Sequence, residues 1–367
     1  MVKKGAHIDR VFALILAILV LGGSLVFASA AFGLLARGND NIPSVVFNHV
    51  VMGIGGGLAL LFIAASIEYR HLRKIAPWFF GCAIVLTALV FVPHVGLAHG
   101  GGRRWISILH LTLQPSEFLK LATLVMAAAY CAMIKDKIKN MKEGLGGYIA
   151  IIALPTLLLV AQPDLGTLGV IVFSTLAMFW VSGLKFQHLL LLALVGIFSL
   201  SVLFFARPYV RDRVTTFFHP SQGGQSTGYQ IRQSLIAIGS GGLLGRGLGQ
   251  GIQKFTYLPE PMGDSIFAVA GEEFGFVGCV LIVALFTACG LRGLRIASVA
   301  REPFGKALAV GISAYLLIEA YINIASMLAL APLTGIPLTF VSQGGSAMLV
   351  SLASAGVLLS ISRVRSA

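Results

Sequence analysis

The chain carries about ten apolar runs, each long enough to cross a hydrocarbon layer of ~30 Å as a helix, and this more than anything limits what it can become. They fall near Val11 to Gly33, Phe47 to Tyr69, Trp78 to Val95, Phe118 to Ile134, Tyr148 to Gln162, Gly166 to Gly183, Leu189 to Ala206, Ser265 to Gly290, Lys306 to Leu330 and Gly345 to Ile361. In lipid every backbone N–H and C=O must be satisfied within the protein, so a span is either a helix or part of a closed barrel. The runs lack the strict apolar/polar alternation of barrel strands. The expected fold is an all-α polytopic membrane protein of about ten transmembrane helices, with a large extracytoplasmic loop, residues 207–264, between spans 7 and 8. With 57% apolar and 11% charged residues, no stretch remains for a soluble domain, and residues 1–367 read as a single integral membrane domain.

Most of the 27 Lys and Arg residues fall in loops on one side of this arrangement, among them Arg70, Lys74, Lys135, Lys142, Arg292 and Lys306. The positive-inside rule makes that side cytoplasmic, together with both termini. Lys3, Lys4 and Arg10 ahead of a run ending in Ala28-Ser29-Ala30 imitate a secretory signal, but the apolar part exceeds a signal core, and it is read as a retained helix. The net charge of +13 is accounted for by basic inner loops facing anionic head groups, so no nucleic-acid partner is expected. Cys82, Cys131, Cys279 and Cys289 lie inside apolar runs without C-x-x-C spacing, which argues against disulfides and a thiolate metal site.

Two polar segments on the expected outer side carry the remaining information. The first, Pro93 to Lys120, reads as a glycine-rich turn and an amphipathic patch with Trp105 at the interface, then a helix start at Pro115-Ser116-Glu117. The second contains Gly228 to Ile238, where Ile231, Leu235 and Ile238 recur at helical spacing opposite Gln230, Arg232 and Gln233, suggesting a helix lying along the membrane surface. After it, Gly239 to Gly251 is dense in glycine. Such a stretch either brings backbone N–H groups up to an anion or serves as a flexible connector.

Several motifs in order along the chain carry a family likeness. They are Gly101-Gly102-Arg103-Arg104-Trp105 with Gln114-Pro115-Ser116-Glu117, Gln162-Pro163-Asp164-Leu165-Gly166-Thr167, Gly228-Tyr229-Gln230, Tyr257-Leu258-Pro259-Glu260 up to Asp264, Glu272-Glu273-x-Gly275, Gly335-Ile336-Pro337-Leu338, and Ser342-Gln343-Gly344-Gly345-Ser346. Together they resemble the SEDS family (shape, elongation, division, sporulation), somewhat more its FtsW branch than its RodA branch. The resemblance implies a glycosyltransferase of the bacterial plasma membrane that polymerises peptidoglycan from lipid II at the outer face. It implies as partners lipid II and the nascent glycan, a class B penicillin-binding protein, and other membrane proteins of the divisome or elongasome. Asp264 matches the family's essential aspartate. Met262, Gly263 and Ser265 depart from the usual residues around it, and Gln343 stands where the family has Tyr.

Joining a sugar hydroxyl to an anomeric carbon bearing a lipid pyrophosphate calls for a base and for cations. Asp264 is the candidate base, or the ligand of a divalent cation, Mg2+ or Mn2+, bridging the pyrophosphate; the alternative is a cap for the helix that follows. Arg103, Arg104, Lys120, Arg211, Arg213, Arg246 and Lys254 are candidates for the pyrophosphate, since guanidinium forks match phosphate oxygens and ammonium adds a point charge. Arg103, Lys120 and Arg213 lead that set, and head-group contact is the competing role. Glu260 and Ser342, from the quoted motifs, complete the expected substrate-binding residues. Glu117, Asp164, Glu272, Glu273 and Glu319 lie in or beside spans, where each needs a partner or a wet cavity. A lipid II flippase, or a non-catalytic scaffold for division proteins, are the competing functions.

Overall fold

A computed structural model of the chain describes residues 8–37, 42–99, 102–108, 111–219 and 227–363. Lys3, Lys4, Gly101, His110 and Arg365, and with them both termini, lie outside the described residues. Asp9 caps α1 (Arg10–Leu35) by accepting the Phe12 N–H at 3.0 Å, and its carboxylate also takes the Arg292 guanidinium at 2.9 Å. The second span joins α2 (Ile42–Phe47) to α3 (Gly57–Ser66) through a π-helical stretch, Asn48–Gly56. Next come α4 (Arg70–Ala88) and α5 (Pro115–Ile134), the latter started by Pro115 at a position whose N–H has no helical partner. The chain continues as α6 (Gly147–Ala161), α7 (Leu165–Val181), α8 (Phe186–Ala206), the short α9 (Pro208–Phe218), α10 (Thr227–Ser240), α11 (Gln253–Thr256), α12 (Ile266–Ser298), α13 (Pro303–Met327) and α14 (Gly345–Arg363).

Among the described residues nine helical segments are long and apolar enough to cross a membrane. The expected span Gly166 to Gly183 corresponds to α7, a 17-residue apolar helix shorter than those nine. α5, α13 and α14 form the centre of the bundle, whereas α8 buries none of its residues. Close approach at the centre relies on small residues, as where Gly356 of α14 lies against the Leu61 backbone of α3.

Three parts differ from the sequence expectation. In the Pro93 to Lys120 segment the expected helix start at Pro115 is observed, whereas the described residues before it form a three-stranded antiparallel sheet of β1 (Gly96–His99), β2 (Gly102–Ile108) and β3 (Leu111–Leu113), with Trp105 opposite Leu97 and Ile106 opposite Leu113. Ile106 is buried while Arg103 and Ser107 are exposed, the period-two pattern of a strand with one covered face. α10 does not lie along a surface. Its Gln230 meets Ser265, and further along Ile238 packs on Gly271, so it descends beside the first turns of α12.

The glycine-rich stretch after α10 is neither an anion nest nor a loose connector. α12 breaks at Gly275 (φ 66°, ψ −163°), a backbone conformation essentially restricted to glycine. The break leaves helix carbonyls and amides without partners, which lipid cannot supply. The glycine stretch supplies them: the N–H groups of Arg246 and Gly247 donate to the carbonyls of Glu272 and Glu273, both at 3.0 Å, and the N–H groups of Phe276 and Val277 donate to the carbonyls of Gly242 and Leu243 at 2.8 and 3.1 Å. A Cβ on Gly275 would sit 2.3 Å from the Gly245 nitrogen, so the two backbones touch with no room for a side chain.

Two ionic clusters are sealed in the bundle. Lys120 of α5 pairs with Glu117 at 2.8 Å and with Glu319 of α13 at 2.6 Å, under the ring of Tyr315. Lys254 of α11 pairs with Glu273 of α12, and Ser29 of α1 bonds both partners at 2.6 Å. Glu272 turns the other way and accepts the backbone N–H groups of Ile252 at 2.8 Å and Gln253 at 3.1 Å.

Candidate active site

At the end of the bundle that bears the sheet, four segments remote in sequence converge: β2 with the residues between α6 and α7, helix α9, the turn before α12, and the extended run between α13 and α14. From β2, Arg104 reaches the carbonyls of Gln162, at 3.1 Å, and Pro163. The next residue, Asp164, caps α7 and accepts from the Thr167 hydroxyl at 2.9 Å and from Gln114 at 3.4 Å. From α9, the Arg213 guanidinium lies over the Tyr209 ring, 4.6 Å from its centroid, and its Nη1 donates to the Thr334 carbonyl at 2.8 Å. Burial lowers the pKa of Arg213, and Arg104 adds to that, while Tyr209, Asp164 and Asp264 oppose it.

Asp264 sits in the tight turn that leads into α12. The turn is closed by the N–H groups of Gly263 and Ser265 donating to the Glu260 carbonyl at 3.0 and 3.3 Å, with Glu260 itself at φ 46°. The Gln230 amide of α10 donates to Asp264 Oδ1 at 3.0 Å and to the Ser265 hydroxyl at 2.9 Å. From α13, the Asn323 amide donates to the backbone carbonyl of Asp264 at 2.9 Å. Burial pushes the Asp264 carboxyl up to a pKa of about 6, aided by the nearby Glu260 carboxylate and opposed by Gln230, the backbone and Arg213.

Asp264 and Arg213 face a common gap. A Cβ added to Gly335 would lie 3.7 Å from Arg213 Nη2 and 4.0 Å from Asp264 Oδ2. A carboxylate and a guanidinium therefore look onto one small space kept clear by a glycine, an arrangement able to serve a reaction in which a proton is removed while negative charge develops nearby.

The remaining predicted residues are dispersed. Glu260 is exposed at the turn, its Oε2 3.4 Å from where a Cβ on Gly263 would be. Arg103 is exposed on β2, and Arg211 is exposed on α9. Arg246 lies at the α12 break, 3.7 Å from Glu272, rather than beside Asp264. Lys120 and Lys254 are neutralised by carboxylates inside the bundle, so neither ammonium is open to a phosphate as it stands. Ser342 is buried, and its hydroxyl accepts the Leu338 N–H at 2.7 Å, closing the turn before α14.

Among the described residues no group of three or more His, Cys, Asp or Glu side chains forms a ready metal site. Asp264 and Glu260 together still offer the hard oxygen donors that a divalent cation takes, the Glu260 carboxylate lying close enough to raise the pKa of Asp264. Two of the departures from the family pattern meet here: the Gln343 N–H donates to the Met262 carbonyl at 2.6 Å. The joint is made by backbone, so it survives the change of side chain at both positions. Gln230 was visible in a quoted motif but not singled out, and Asn323 was missed; its signal is an amide inside an apolar run, four residues after Glu319 and on the same helix face.

The sequence pattern of the family described as cell cycle protein, FTSW_RODA_SPOVE, matches residues 9–367. The chain is 36% identical over 348 residues to stage V sporulation protein E of Bacillus subtilis, spanning 95% of this chain and 94% of that protein. It is 38% identical over 307 residues to a protein of Geobacter sulfurreducens named probable peptidoglycan glycosyltransferase FtsW, spanning 83% and 82%. Among solved structures, a chain from work on the structural coordination of polymerization and crosslinking by a peptidoglycan synthase complex matches with a TM-score of 0.76 at 26% identity, over 97% of this chain and 98% of that one. The crystal structure of the rod shape determining protein RodA of Thermus thermophilus matches with a TM-score of 0.69, also at 26% identity, over 98% and 97%.

Proposed function

This chain belongs to the FtsW, RodA and SpoVE family, and on that footing we propose that it is a peptidoglycan glycosyltransferase, extending glycan from a lipid-linked pyrophosphate donor onto lipid II at the outer face of the bacterial plasma membrane. The observation that carries the reading is the shared gap at Gly335, with the Asp264 carboxylate on one side and the Arg213 guanidinium on the other.

In the proposed reaction the acceptor hydroxyl gives its proton to Asp264 as its oxygen bonds to the donor's anomeric carbon. The bond from that carbon to the pyrophosphate oxygen breaks, and its electron pair leaves with the lipid pyrophosphate. Attack opposite the leaving group inverts the anomeric centre. A pKa of about 6 leaves Asp264 mostly ionised at neutral pH yet more basic than an ordinary aspartate, which suits a general base. Arg213, aided by the field of Arg104, stabilises the charge building on the pyrophosphate. In the alternative role, with Asp264 a ligand instead of the base, Asp264 and Glu260 would hold a divalent cation, Mg2+ or Mn2+, that supplies Lewis-acid stabilisation of the same charge.

A flippase would carry its substrate-binding charges near the middle of the bundle. Here they gather at one end, which favours polymerisation. The likeness to a chain of a peptidoglycan synthase complex supports a penicillin-binding protein as partner. The test is a gel assay of glycan strands from labelled lipid II with divalent cation, with and without that partner. Wild type should make polymer and Asp264→Ala should not; absence of polymer from wild type under both conditions removes the reading.

A further inference from the structure

Asp264 and Arg213 come from segments far apart in the chain and do not bond to one another, so something else sets their separation. The connection can be followed atom by atom. Asn323 of α13 is fully buried, and its Nδ2 donates one hydrogen to the backbone carbonyl of Asp264 at 2.9 Å and the other to that of Ile336 at 2.8 Å. Two residues before Ile336, the Thr334 carbonyl takes Nη1 of Arg213 at 2.8 Å. The path from carboxylate to guanidinium thus runs through one carboxamide and a short extended segment, with Gly335 and its gap in the middle.

We propose that Asn323 is a positioning residue, whose single amide group fixes the distance across the gap in which the reaction takes place. The proposal rests on the polymerase reading and adds to it a residue that touches neither substrate nor the two charged groups. Both carbonyls that it serves lie outside helices, at the turn before α12 and in the run between α13 and α14, so no helical ladder satisfies them. Both are acceptors, so only the NH2 side of the amide can face them, which fixes its orientation. No other residue type of this size offers two hydrogens from one atom. Aspartate keeps the volume and loses the donors.

The test uses the purified full-length protein with labelled lipid II, Mn2+ or Mg2+ and the partner transpeptidase, comparing wild type, Asn323→Ala and Asn323→Asp, each also combined with Arg213→Ala. A misplacement of about 1 Å at a reacting pair lowers rates by roughly a hundredfold, and a loss of tenfold to that size in kcat/KM is expected for both single variants. Because the guanidinium moves as well as the carboxylate, KM for lipid II should rise and kcat should fall. A smaller fraction of folded enzyme would lower kcat alone. In the Arg213→Ala background the Asn323 change should cost a clearly smaller factor, because one of the two groups it spaces is already gone. Equal factors in both backgrounds, a fall in kcat with KM unchanged, full activity in either single variant, or failure of both single variants to fold would overturn the proposal. An inactive wild type would instead bring down the polymerase reading beneath it.

Discussion

Lys254 and Glu273 form a salt bridge with no solvent-exposed side-chain surface, and Ser29 of the first helix completes it. The pair joins α11 to α12 more than two helical turns beyond Asp264, and it ties the chain between α10 and α12 to the body of the bundle. Arg37 adds to this anchorage by donating to the carbonyls of Phe255 and Lys254, both at 2.7 Å.

Removing one member of this pair strands the other. Lys254→Ala should destabilise the protein by about 3–5 kcal/mol, the usual effect of leaving a buried charge without its partner. The double change Lys254→Met with Glu273→Leu should recover much of that loss. Thermal unfolding in detergent, followed by loss of the monodisperse peak, measures both.

The pH response of Asp264 has a defined sign. Its pKa in the fold, about 6, lies above the ordinary 3.8, so the fold favours the protonated form. The stability contributed by this group is complete below about pH 3.8 and is lost as pH rises through about 6. Asp264→Asn should therefore raise the melting temperature at pH 7, with the advantage shrinking as the pH falls below 6. The polymerisation rate of wild type should drop on the acid side near pH 6. Glu260→Gln removes a charge that raises the Asp264 pKa, and the acid limb should move to lower pH in that variant.

Arg213→Ala should lower turnover by roughly 10²–10³-fold if its guanidinium stabilises the departing pyrophosphate, the range seen when one electrostatic donor is removed from an active site. Arg213→Lys should restore little, because an ammonium cannot hold the Thr334 carbonyl while offering a second fixed N–H to a phosphate. Initial rates with purified variants of normal melting temperature decide the matter.

Gly275→Ala should cost about 1–3 kcal/mol for the unfavourable backbone conformation alone, and more because the methyl meets the Gly245 nitrogen. The expected signature is local: faster proteolysis or hydrogen exchange within residues 241–252, before the bundle as a whole unfolds.

The helices were legible because a span is written as length and apolarity, and both can be read without knowing neighbours. The sheet was harder. Arg104, Ile106 and Ile108 alternate with Arg103, Trp105 and Ser107, but the strands are too short for the alternation to outweigh the surrounding glycines. Asp264 and Arg213 could be proposed from residue type and family likeness, whereas their common gap depends on Gly335, more than seventy residues further on. Glu117, three residues before Lys120 on the same helix, is a partner that local spacing could have shown, whereas Glu319 for Lys120 and Glu273 for Lys254 stand on other helices, and no local pattern announces which distant carboxylate neutralises a given lysine.

Since α8 (Phe186–Ala206) buries none of its side chains fully and meets the bundle near its start, with Phe186 against Trp180 and Leu189 and Leu192 against the core, the order of leucines and phenylalanines beyond Leu192 carries little weight. That stretch should behave as an interchangeable part: swapping it for an unrelated greasy segment of equal length, with Phe186, Leu189, Leu192 and the α8–α9 corner retained, ought to leave the rest of the molecule indifferent, whereas the same transplant at α13 would scramble the seats of Glu319 and Asn323 together.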